Sequence, residues 1–120
     1  MKKIALCFLI ACGSDDPESG SGVDPTIGLG KLTEAQIQDV CAYGVSLSRE
    51  VVCNGSPTQS VAVQSSCVGL LQAIANGCVA TVADIEVCFE DLSELTDDAV
   101  CMMANPDSCL FLGDDSCVDV

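Results

Sequence analysis

Apolar side chains return every three or four positions between Thr33 and Met103, the period of helices that each bury one face. Thr33 and Gln36 fit a capping box that opens a first helix. Its buried stripe runs through Ile37, Val40, Cys41, Gly44, Val45 and Ser48, and it is expected to stop before Asn54-Gly55. Ser56 reads as the cap of a second helix, with Pro57 at the first helical position, where no N–H is needed, and Gln59 as the reciprocal partner. Val63, Cys67, Leu70, Leu71 and Ile74 line its face, and Asn76-Gly77 supplies a left-handed stop. A third helix starts at Thr81, carries Asp84 near its positive end and buries Ile85, Cys88, Phe89 and Leu92. Thr96-Asp97-Asp98 opens a fourth, with Ala99, Val100 and Met103, and Pro106 beyond its end. Val51 to Cys53 and Val61 to Val63 fit strand as well as helix. The expected fold is all-α, three or four short helices over residues 32–120.

Ahead of the helices the pattern changes twice. Residues 13–30 are rich in Gly, Ser, Asp and Pro without periodicity, the composition of a flexible linker that reaches roughly 20–25 Å. Before them, Lys2 and Lys3 precede an apolar run from Ile4 to Ala11, the layout of an export signal. That run is too short to cross a hydrocarbon core, which takes roughly 20 helical residues. The four residues Leu9-Ile10-Ala11-Cys12 resemble the lipobox of bacterial lipoproteins: Leu, a small or branched residue, Gly or Ala, then Cys. The resemblance covers the first dozen residues and departs from the pattern in its short apolar region, in Cys7 and in the size of Ile10. It implies diacylglyceryl attachment at Cys12, cleavage after Ala11 and acylation of the new amino terminus. One acyl chain binds a bilayer marginally, whereas two or three hold it in effect permanently. Gly13 follows Cys12 where Asp tends to retain such proteins in the inner membrane, so the resemblance favours the outer membrane. The expected organisation is a removed signal peptide over 1–11, a lipidated linker over 12–31 and a cysteine-rich helical domain over 32–120.

Charge narrows the partners. The formal net charge is −14, and loss of Lys2 and Lys3 leaves Lys31 and Arg49 against 18 carboxylates. Nucleic acid is excluded as a partner, because phosphate binding draws on Lys and Arg that this chain lacks. The expected contacts are a membrane, through the lipid at Cys12, and an envelope protein of unstated identity. The alternative is a soluble secreted acidic module that binds divalent cations or a basic partner.

Of ten cysteines, Cys7 leaves with the signal and Cys12 carries lipid. Cys41, Cys53, Cys67, Cys78, Cys88, Cys101, Cys109 and Cys117 remain, an even number that reads as four disulfides in an exported domain. Each contributes about 2–4 kcal/mol, which matters in a body too small for a self-sufficient core. Cysteine pairs at 41/53, 67/78 and 88/101 bound three segments of similar length and fit bridges between neighbouring helices, but the connectivity stays open. Thiolate metal binding fails on spacing, with no Cys-x-x-Cys and no His.

No recognisable catalytic motif is present, although two carboxylates alone can serve an enzyme. Without histidine a Ser-His-Asp or Cys-His site cannot form, and no Gly-x-Ser-x-Gly turn is present. Glu86, Glu90 and Glu94 repeat every four residues opposite the apolar stripe of the third helix and read as a solvated surface. Asp114, Asp115 and Asp119 lie near Gly113 but do not match a calcium loop. No cofactor is expected, and the function expected is a non-enzymatic structural or interaction role in the cell envelope.

Overall fold

The computed structural model describes residues 20–118. Four α-helices follow one another: α1 over Glu34–Leu47, α2 over Gln64–Gln72, α3 over Val82–Ser93 and α4 over Asp97–Cys101. Short 3-10 segments lie at Leu29–Lys31 and Asp107–Gly113. A two-stranded antiparallel hairpin, β1 over Glu50–Cys53 and β2 over Ser56–Gln59, stands between α1 and α2. About half of the described residues are helical, and the hairpin makes the fold mixed rather than all-α.

Three helix starts form as their residues dictate. The Gln36 backbone N–H donates to Thr33 Oγ1 at 3.2 Å while the Gln36 side chain accepts from the Thr33 N–H at 2.9 Å. At α3 the Asp84 carboxylate accepts the Thr81 N–H at 2.9 Å, and at α4 Thr96 Oγ1 accepts from the Ala99 N–H at 3.1 Å. Each arrangement satisfies backbone donors that the first turn leaves without a helical partner.

The expected second helix from Ser56 does not form. Asn54 and Gly55 have φ of 53° and 84°, so they make the tight left-handed turn that matches strand twist, and the flanking residues pair as Cys53 with Ser56 and Val51 with Thr58. Asn-Gly therefore opens a hairpin instead of ending a helix, and α1 stops six residues earlier than Cys53, at Leu47. Pro57 sits in β2 without harm. The Ser60 N–H donates to the Arg49 carbonyl at 2.9 Å, and alternation from that pair turns position 57 outward, where a missing N–H breaks no ladder bond. The real α2 starts at Gln64 and ends at Gln72, before Asn76-Gly77, so Cys78 lies in a loop.

The core gathers where α1, α2 and α3 meet. Val40, Cys41, Leu71, Val82, Ile85 and Phe89 are buried there, joined from the N-terminal side by Val23 and Leu29. Disulfides fix the layout: Cys41–Cys67 ties α1 to α2, Cys53–Cys101 ties β1 to α4, Cys88–Cys109 ties α3 to the second 3-10 segment, and Cys78–Cys117 ties the loop after α2 to the C-terminal tail. One of the four joins two of the longer helices.

Candidate functional site

Three features concentrate the chemistry of the described residues: a seam along α3, a cleft between α2 and α3, and the cysteine framework.

The seam corrects two expectations. From Gly20 onward, the segment expected to be a flexible linker runs antiparallel to the loop and first turn of α3. Leu29 N–H donates to Ala80 O at 2.9 Å, Gly28 bridges Thr81, Val82 N–H donates to Ile27 O at 3.0 Å and Ala83 N–H donates to Pro25 O at 3.1 Å. The last two bonds satisfy orphan donors of the first turn of α3. Glu86, expected on a solvated face, is buried at 5% exposure. Its Oε1 accepts from the Gly20 N–H at 3.1 Å, and its Oε2 accepts from the Ser21 N–H at 3.2 Å and the Ser21 hydroxyl at 2.5 Å. A buried carboxylate is tolerable because donors replace its water.

Tyr43 closes the seam from α1. The end of its ring lies where a Cβ on residue 20 would go, so a side chain there would have to displace the phenol. Its hydroxyl donates to Glu90 Oε2 at 2.7 Å. Partial burial, then that hydrogen bond and the neighbouring carboxylates Glu90 and Glu86, push the phenol up to about 12. Glu94, the third member of the predicted stripe, is exposed.

The cleft has a volume of about 400 Å³. Its floor is made of buried Cys67, Ile85, Cys88 and Phe89, and its mouth of exposed Thr58, Gln59, Val63, Ser66 and Leu70. The hairpin thus supplies one rim, through β2. No lining residue is charged.

The eight cysteines over 41–117 are paired as above, with no free thiol among the described residues. Cys12 and Asp119 lie outside the described residues. Asp114 is near the surface and accepts from the Ser116 hydroxyl at 2.7 Å and its N–H at 2.8 Å, bonds that lower its carboxyl below the ordinary range. Among the described residues no group of three or more His, Cys, Asp or Glu is placed to hold a metal ion. Among them, too, no helix is long and apolar enough to cross a membrane. No protein family, curated protein or solved structure matches the chain.

The burial of Glu86 and the existence of the cleft were not foreseeable from local pattern. The donors to Glu86 are 65 and 66 positions away. The signal that could have pointed to the seam is the trio Val23, Ile27 and Leu29, apolar residues embedded in an otherwise polar stretch.

Proposed function

We propose that the chain is a lipid-anchored protein of the bacterial cell envelope whose folded body has a structural or interaction role and no catalytic one. The carrying observation is how the cysteines divide. Eight are paired within the body, and of the remaining Cys7 and Cys12, the second closes the sequence Leu9-Ile10-Ala11-Cys12. Disulfides on this scale belong to an oxidising compartment, which an export signal would reach. An acylated Cys12 then supplies the anchor and leaves no odd thiol to cross-link chains. Since the described body starts at Gly20, eight positions on, the attachment spans at most about 28 Å. The body is thereby kept near the bilayer surface without insertion. Gly13 favours the outer membrane by the sorting analogy.

The test is expression of the full chain in a bacterium with two membranes, followed by fractionation and mass spectrometry of the mature amino terminus. The expected result is a membrane-bound chain that begins at an acylated Cys12, and a Cys12→Ser variant that is neither acylated nor cleaved after Ala11. A soluble mature chain with a free amino terminus would overturn the anchor and leave the acidic secreted module, with divalent cations or a basic partner as ligand.

A further inference from the structure

We propose that the cleft between α2 and α3 is a binding site for an uncharged, mainly apolar small molecule. The inference does not depend on the anchor at Cys12.

Size comes first. The cleft holds about 400 Å³, inside the range of roughly 300–1,000 Å³ typical of natural small-molecule pockets. An apolar cavity of about 150 Å³ takes one benzene, so the present volume scales to a ligand of about sixteen non-hydrogen atoms. Charge comes second. The sequence has 18 carboxylates, yet none lines this cleft, nor do Lys31 or Arg49. A cation would lose hydration there with no counter-charge in return, and an anion would in addition meet the net negative body. A neutral ligand avoids both penalties. Thr58, Gln59 and Ser66 at the mouth offer two hydroxyls and an amide, enough to orient one polar group.

Rigidity comes third. Both walls are covalently fixed from behind: Cys67 on the α2 wall is bonded to Cys41 of α1, and Cys88 on the α3 wall is bonded to Cys109. Each wall is thereby braced against the element behind it, and the cleft is already open in the folded chain, so binding orders little. A macromolecular partner fits less well. A stable interface needs about 800 Å² from each side, whereas the exposed large apolar side chains at this mouth are Val63 and Leu70.

The experiment uses the full, oxidised chain and N-phenyl-1-naphthylamine, a neutral dye of about the right size that brightens on leaving water. The expected result is saturable binding of one dye per chain, with the sulfonated analogue of the same ring system bound at least about tenfold more weakly. Leu70→Asp puts a carboxylate at the mouth on an exposed helix position, and Ala62→Phe fills the cleft. Each should weaken the neutral dye by about tenfold or more, while thiol titration shows the disulfides intact. Amide shifts in the unmodified chain on adding dye should fall on residues 58–70 and 85–92. No saturable binding, equal affinity for both dyes, unchanged affinity in the two variants, or shifts centred elsewhere would each overturn the proposal. If a variant fails to fold, the shift map and the comparison of the two dyes still decide it.

Discussion

The helical centre and the hairpin corner are held together by different means. In the centre, α1, α2 and α3 enclose Val40, Val82, Ile85 and Phe89, each at most 5% exposed, in one continuous apolar cluster. In the corner, β1 and α4 bury Val51 and Val100, and neither belongs to that cluster. All four residues of β2 are exposed. What the corner lacks in apolar burial is supplied by the Cys53–Cys101 bond and by Arg49. Arg49 Nη1 donates to Ser93 O at 3.1 Å, and Nη2 donates to Leu95 O at 2.6 Å and Asp97 Oδ1 at 2.9 Å. The Ser93 carbonyl ends α3 and the Leu95 carbonyl lies just past its cap, a place where a positive group is favoured by the helix dipole. A chain with two basic side chains in its described body thus spends one on architecture. The contrast shows how a small domain extends beyond its core, through one covalent link and one forked cation.

The contrast can be broken at four places. Phe89→Ala should have the largest effect, about 3–5 kcal/mol, because it opens a void in the apolar cluster. Urea unfolding followed by fluorescence and by circular dichroism should shift together. A loss under about 1 kcal/mol would mean that Phe89 is not packed as a core residue. Replacing both Cys53 and Cys101 by Ala should cost up to about 4 kcal/mol by the entropy of a loop of 48 residues. Here hydrogen exchange should rise over 49–60 and 97–101 while α1 and α3 stay protected. Uniform acceleration would erase the distinction between centre and corner.

Arg49→Ala should cost about 2 kcal/mol, since it strips charge-assisted donors from two partly buried carbonyls. Arg49→Lys should recover less than half, because an ammonium cannot reproduce the fork. The exposed pairing with Asp97 contributes little of this, so Asp97→Asn should be nearly silent in the same melt. The smallest effect concerns Tyr43, at the seam along α3. Tyr43 is held near 12 against an ordinary 10, so its protonated form is favoured in the folded chain. Its contribution is complete below pH 10 and disappears as pH rises toward 12. Absorbance titration of the phenol should show the raised midpoint, and Glu90→Gln should move it back down.

How much of this could be read from the residues depends on the distance over which each interaction acts. Thr33 with Gln36, Thr81 with Asp84, and Thr96 with Ala99 are contacts across three positions, and all three helix starts were legible. The hairpin was lost between two local meanings. Asn54-Gly55 can end a helix or turn a hairpin, and Pro57 can open a helix or sit at a sheet edge. Pairing of β1 with β2, together with the bond from Cys53 to Cys101 48 positions away, decides between them. Glu86 shows the limit most clearly. Its spacing from Glu90 and Glu94 is that of a solvated stripe, and the Gly20–Ser21 backbone that buries it carries no periodic mark. The same holds for the cleft, whose floor and rim come from β2, α2 and α3 at once.

The seam along α3 also determines how the body answers a pull. Its attachments follow one another in reverse order along the two segments: Gly20 and Ser21 on Glu86, Pro25 on Ala83, Ile27 on Val82, Leu29 on Ala80. A load that enters at Gly20 meets them singly, like a zip opened from its end, and the carboxylate of Glu86 takes the strain first. Past Leu29 the first covalent stop on the pulled segment is Cys41, bonded to Cys67 of α2. Tension from the leading end is therefore absorbed in small yielding steps until it reaches the covalent link between α1 and α2.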